Sequence, residues 1–195
     1  KEFMKWDSSP VLAAGIIAGL ASVSQQALAL NLGSLVYEPV EPCRIVNTLN
    51  TGVPLAPGVA QSFVASGAAG ALTAQGGNAS GCEHPKSAEG LAPVAISANV
   101  AAVAGLATSN GDMVAYPTGS VPPTATVINF YRGTNLSNST IIPLCEGDTC
   151  TSDFDLLARF ATIPVVVDVQ GYFYPKNLEN IVKVSPAGGD FATIV

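Results

Sequence analysis

Val165-Val166-Val167-Asp168-Val169-Gln170-Gly171-Tyr172-Phe173 is the stretch that decides the fold. In an extended chain successive side chains point to opposite faces. Val165, Val167 and Val169 then share one face, and three β-branched residues at period two suit a pleated, buried surface. Val166, Asp168, Gln170 and Tyr172 share the other face, which mixes apolar and polar groups, so Asp168 belongs near a rim or in the interior with partners. Pro164 stands where a strand begins and its missing N–H is tolerated. Gly171 permits a bulge or a close approach before Tyr172-Phe173, which would seal the end of the layer. The stretch reads as a central strand.

Working outward from it, the same texture recurs. Short β-type runs are expected at Leu35–Tyr37, Arg44–Asn47, Gln61–Ala65, Val94–Val103, Met113–Tyr116, Thr126–Phe130, Thr140–Leu144, Phe154–Phe160 and Pro164–Tyr174. Between them stand turn residues: Pro54, Pro57-Gly58, Asn110-Gly111-Asp112, Pro122-Pro123 and Arg132-Gly133. Ser66–Gly81 is the longest stretch of flexible composition and reads as a loop. Strands at such intervals, with no helical period after residue 30, predict an antiparallel β-sandwich or partly open barrel of about eight to ten short strands. The module is expected over residues 30–175.

Only 11% of the 195 residues are charged and 48% are hydrophobic, so the chain can bury a core and is no disordered acidic tail. The net charge is −6, with eight Lys and Arg scattered along the chain. No basic stripe offers itself to phosphates, which argues against nucleic acid, and the acidic balance argues against anionic lipid.

Lys1 and Lys5 precede an apolar run, Val11–Val23, then Ser24-Gln25-Gln26 and Ala27-Leu28-Ala29. A basic start, a short apolar middle and small residues before a cut site make a secretory leader over residues 1–29. A buried helix, a retained anchor or a hydrophobic fibre-packing segment would share this composition, but the run is short of the ~20 residues a membrane span needs. The four cysteines, Cys43, Cys82, Cys145 and Cys150, then read as two disulfides. Gly147-Asp148 supplies a turn that makes Cys145–Cys150 a local staple, which leaves Cys43 with Cys82. A metal site would need paired CxxC spacing, which is missing.

The sequence also resembles a known family. Pro42-Cys43-Arg44-Ile45-Val46-Asn47-Thr48 is similar to the opening PCRLVDTR of a β-rich repeat module of secreted bacterial proteins. Cys82 followed by Pro93–Val100 resembles its central segment, Gly111–Pro117 its GxLTLYP, Val127–Phe130 its STLNF, and Val166–Phe173 its closing VVDVxGYF. The resemblance spans about residues 35–175 in order. It implies an extracellular module, often beside hydrolase or adhesin domains, that carries no established activity. The family's Asp and Arg are Asn47 and Leu49 here, so any ion pair they form is missing. Ile181–Ile194 resembles the first strand and turn of a right-handed β-helix, as in pectin-active enzymes, with residues 176–195 as linker and first rung. A solenoid needs several rungs, so this second resemblance implies a longer parent.

Catalytic chemistry finds little support. A histidine triad would have to use His84, the one histidine, in Glu83-His84-Pro85-Lys86, where a solvated loop residue is the simpler reading. Glu146, Asp148, Asp153 and Asp155 cluster around the expected Cys145–Cys150 hairpin and are a candidate Ca2+ site, though a solvated acidic turn is the simpler reading. Tyr116, Tyr131, Tyr172 and Tyr174, with Phe130 and Phe173, are candidates for a glycan-stacking platform, against the commoner fate of aromatics as core. Asn78, Asn135 and Asn138 head glycosylation sequons, which weigh little in a bacterial-looking chain. The expectation is a non-enzymatic module, secreted or at the cell surface, that displays, attaches or contacts glycan. Its partners would be a surface glycan, another extracellular protein or a second copy, with no nucleic acid and no membrane once the leader is removed. The alternatives are an accessory domain of a polysaccharide-acting β-helix enzyme and a subunit of a self-assembling filament.

Overall fold

Val165, Val167 and Val169 are fully buried, as their alternation requires, and the strand that holds them is paired on both sides. The computed structural model describes residues 35–85, 87, 90–147 and 149–176. The expected leader at 1–29 and the β-helix resemblance at 181–194 lie outside the described residues. In chain order the elements are β1 (Leu35–Asn47), α1 (Thr48–Thr51), β2 (Ala60–Phe63), α2 (Ala69–Ala74), β3 (Ala95–Ala102), a 3-10 turn (Ala104–Leu106), β4 (Gly111–Pro117), β5 (Ile128–Phe130), β6 (Leu136–Pro143), β7 (Phe154–Arg159) and β8 (Val165–Pro175). They form two four-stranded sheets, ordered β1-β8-β3-β6 and β2-β7-β4-β5. Every neighbouring pair is antiparallel.

The core lies between the sheets. Ile96, Ala98, Val100 and Ala102 of β3 meet Met113, Ala115, Phe154, Leu156 and Ala158 of the other layer in one apolar cluster. Ala98, Ala102, Ala115 and Ala158 lie here, where small side chains let the two sheets approach closely. Phe63 and Phe154 pair with ring centroids 5.8 Å apart.

A bulge changes the facing of β8. Ser97 pairs with Gly171 and Ala98 with Val169, so Gln170 is an extra residue and the alternation shifts by one. Before it Val165, Val167 and Val169 point inward; after it Tyr172 and Tyr174 do, and both are buried. Strict alternation had placed Tyr172 beside Asp168, and the bulge reverses that assignment.

β1 also departs from expectation. The separate runs Leu35–Tyr37 and Arg44–Asn47 belong to one strand that passes Pro39 and Pro42 with register shifts. An edge strand tolerates proline because its outward N–H needs no partner. The expected loop Ser66–Gly81 contains α2, which forms despite Gly70 and Thr73 because it buries Leu72. Gln75 then ties α2 to both sheets: its Nε2 donates to Ile45 O (2.7 Å) and Val64 O (2.8 Å), and its Oε1 accepts from Val64 N (3.0 Å).

Both disulfides pair as expected. Cys43–Cys82 joins β1 to the loop after α2, closing a separation of 39 residues with Cα atoms 5.9 Å apart. Cys145–Cys150 staples the β6–β7 connection at the same Cα separation, 5.9 Å. Asn47 caps α1: its Oδ1 accepts from Leu49 N at 3.1 Å.

Candidate functional site

The tyrosines proposed for glycan stacking do not form a platform. Tyr116 is 4% exposed, Tyr172 0% and Tyr174 1%, so none presents a ring face to a sugar. Phe130 is buried as well. Aromatic area is the largest apolar contribution a sandwich interior can gain, and these rings are spent there. Burial raises the pKa of all three phenols; nearby Asp155 adds to the effect at Tyr116 and Glu38 at Tyr174, while at Tyr172 burial leads and Tyr174 and Asp153 add to it. Tyr172 Oη donates to Ala65 O (3.1 Å). Tyr131 is exposed, but among the described residues no other ring stacks with it.

The exposed aromatic surface lies elsewhere, on the outer face of the β1-β8-β3-β6 sheet. Tyr37 pairs with Phe173 across β1 and β8, their ring centroids 4.9 Å apart. Tyr37 remains 44% exposed and its Oη donates to Gln170 O (3.2 Å). Its ring is seated on Gly171: a Cβ at that position would overlap Tyr37 ring atoms. The glycine therefore provides the close approach that its place in the strand suggests.

Register defines the rest of this face. One row across the sheet is Tyr37, Phe173, Ala95 and Pro143; the next is Pro39, Gly171, Ser97 and Ile141; the third is Arg44, Asp168, Asn99 and Ser139. From the first row to the third is four residues of β3, about 14 Å. In the third row Arg44 grips Asp168 with two bonds, Nε to Oδ1 at 2.9 Å and Nη2 to Oδ2 at 3.1 Å. That hydrogen bond holds the Arg44 guanidinium above its ordinary pKa. The pair is the partnership expected for Asp168, and it sits at the surface, with side chains 47% and 24% exposed. An aromatic pair, a central Gly171–Ser97 row and a fixed polar fork thus share one face of the sheet.

The two described aspartates among the acidic candidates have separate partners. Asp153 Oδ2 accepts from Ala65 N (2.6 Å), and Asp155 is buried with Oδ1 accepting from Thr118 Oγ1 (2.9 Å). Glu146 is exposed on the hairpin, and Asp148 lies outside the described residues. Asp153 and Asp155 thus already hold donors from a loop amide and a turn hydroxyl, and among the described residues no group of three His, Cys, Asp or Glu is arranged to hold a metal ion.

His84 is half-buried rather than a solvated loop residue. Its ring lies against Tyr172 and Tyr174, at 5.7 and 6.2 Å between centroids. Its Nδ1 lies 3.0 Å from Pro85 O and 3.3 Å from Tyr174 Oη. A depression of about 490 Å³ adjoins it, lined also by Ser66, Glu146, Asp153 and the Cys145–Cys150 pair. Among the described residues no serine or cysteine bonds to His84, so its geometry supplies no activated nucleophile. The sequon amides are occupied too: Asn78 Nδ2 donates to Cys43 Sγ, Asn135 Oδ1 accepts from Gly105 N, and Asn138 Nδ2 donates to Val127 O.

Sequence reasoning missed Tyr37 and undervalued Phe173. Their pairing depends on a register between segments more than a hundred residues apart, and on a bulge whose one-residue shift alternation cannot show. The single-residue signal was Gly171, a glycine inside a strand where a close approach is needed. Comparison with protein-family models, with curated proteins and with solved structures finds no match for this chain.

Proposed function

We propose that the chain is a non-catalytic extracytoplasmic interaction module that holds a glycan against the outer face of the β1-β8-β3-β6 sheet. The observation that carries this reading is the Tyr37 ring, seated on Gly171 beside Phe173, with much of its surface left in water. An exposed, pre-positioned ring gains contact area without the entropy cost of ordering it. The apolar face of a pyranose is a suitable partner for such a ring. The Arg44–Asp168 fork and Asn99, about 14 Å along the sheet, offer donors and acceptors to hydroxyls further along the same chain of sugars. This spacing favours an oligosaccharide over a single ring. The leader-like residues 1–29 and the two disulfides support export. The resemblance of residues 181–194 to a β-helix opening supports an accessory form of the same reading, in which the face retains polymer for a following domain.

Affinity electrophoresis through gels containing soluble bacterial, plant and animal polysaccharides, with pull-down on cellulose and chitin, tests the assignment. At least one polymer should retard the protein, and Tyr37→Ala should abolish the retardation while leaving the circular dichroism spectrum unchanged. The reading fails if no polymer retards the protein, or if Tyr37→Ala binds as the wild type does.

A further inference from the structure

A sandwich of two open sheets has four edge strands, and unpaired edges invite association unless they are blunted. Three of the four are blunted here. β1 carries Pro39, Pro42, Glu38 and Glu41 and breaks register with β8 twice. β2 is four residues long and β5 three. β6 is different. It runs eight residues, Leu136–Pro143, and pairs with β3 along its whole length without a register shift. It has no charged residue and no proline before Pro143. Leu136–Ser139 and Ile141 are exposed. Among the described residues its only strand partner is β3.

We propose that β6 is the interface between two copies of this chain, which join their β1-β8-β3-β6 sheets by antiparallel β6–β6 pairing. Main-chain hydrogen bonds supply the attraction in strand addition. The occupant follows from charge and shape. The chain has a net charge of −6, so two copies repel unless they meet where that charge is absent, and β6 carries none of the 14 Asp and Glu. An uncharged strand offers a charged partner nothing to recognise. The partner strand must itself be long, regular and unpaired, and among the described edges only β6 has these properties. A two-fold axis through the strand matches the two edges to each other and closes the assembly, because the remaining outer edges are the blunted β1 strands. The pairing goes beyond the glycan reading and does not depend on it: the face that holds Tyr37 and Phe173 stays open in the pair.

Sedimentation equilibrium of the full chain from low micromolar to high micromolar concentration provides the test. The wild type should sediment as a monomer–dimer equilibrium. Ser139→Lys and Ile141→Lys, which place a charge on the edge, should each weaken the dimer tenfold or more, with unchanged circular dichroism. Asn99→Lys puts the same charge on the same sheet face but on a central strand, and should leave the dimer intact. A wild type that is monomeric throughout overturns the proposal. So does a dimer that survives both edge lysines, a dimer lost in Asn99→Lys alone, or growth into large particles, which a closed pair cannot produce.

Discussion

Gly171→Ala tests whether the Tyr37 ring is seated where the structure places it, through a change in sign. The three heavy atoms nearest to the added Cβ all belong to Tyr37, and they are too close to stay where they are. The side chain is a surface group that can swing away. The cost is therefore what the ring leaves behind: its pairing with Phe173, about 0.5–1.5 kcal/mol, and its exposed hydrogen bond to Gln170 O, on the order of 0.5 kcal/mol. Set against the about 0.4–1 kcal/mol that the methyl gains by restricting the unfolded chain, Gly171→Ala should destabilise the wild type by a net of up to about 1.5 kcal/mol. Tyr37→Ala removes the same contacts without that gain and should cost about 1–2 kcal/mol. The double variant should cost no more than Tyr37→Ala alone. Gly171 is not among the glycines with positive φ, so an alanine there meets no backbone strain once the ring is gone. It then restricts the unfolded chain, which is worth about 0.4–1 kcal/mol in favour of folding. Gly171→Ala should therefore destabilise the wild type and stabilise the Tyr37→Ala background. Urea midpoints followed by far-ultraviolet circular dichroism give the full cycle. Equal costs in the two backgrounds would refute the seating and remove the main support for a prepared aromatic face.

Three further outcomes follow from the core and the staples. Val167→Ala should lower stability by roughly 1–3 kcal/mol, and Val167→Asp should prevent folding because an unpaired charge enters the interior; a wild-type urea midpoint for the aspartate variant would show that the strand's faces are inverted. Burial raises the Tyr172 phenol above its ordinary pKa, so its contribution is fully present below the unfolded value near 10 and is lost as pH rises from there toward the folded value. Stability should fall as pH rises past about 10, and Tyr172→Phe should flatten that fall while costing about 1 kcal/mol at neutral pH through the unpaired Ala65 carbonyl; an equally steep alkaline loss in the variant would contradict this. Replacing Cys43 and Cys82 together by alanine should cost about 3–4 kcal/mol, well above the cost of removing the short Cys145–Cys150 loop, as thermal unfolding of the two double variants would report; the reverse order would count against the loop-closure account.

The all-β architecture was legible because it rests on local pattern. Alternation at Val165, Val167 and Val169 marked a buried face, and turn residues between short apolar runs marked the strand count. The cysteine pairing was legible because the six-residue segment from Cys145 to Cys150 closes on itself. α2 was missed because alanine and glycine together read as flexibility. What makes Ala69–Ala74 helical is the burial of Leu72 and the bonding of Gln75 to two strands, both tertiary facts. The acidic residues looked like a cluster because they are close in sequence, whereas Asp153 and Asp155 bond to separate donors, Ala65 N and Thr118 Oγ1. The proposed binding face was the least legible part. Tyr37 is unremarkable beside Leu35 and Val36, and becomes informative only when the sheet sets it opposite Phe173 and above Gly171.

Gln170 connects these failures of local reading. Were Gln170 paired in regular register instead of bulged, β8 would keep one alternation to its end, and Tyr172 and Tyr174 would leave the core while Phe173 entered it. The interior would lose two large rings, one of them held by a bond to Ala65 O and both packed against His84. The outer face would lose the ring that pairs with Tyr37. The bulge lets a single strand fill the core with branched residues at one end and with tyrosines at the other. It also places Phe173 outward and Gly171 beneath Tyr37. Sheet edges and functional positions are where bulges concentrate, and this one lies in a strand paired on both sides, where a lost register costs hydrogen bonds on two sides. An irregularity kept at that position is readily explained if it builds a surface as well as a core. The proposed binding face around Tyr37 thus rests on the same irregularity that fills the core with Tyr172 and Tyr174.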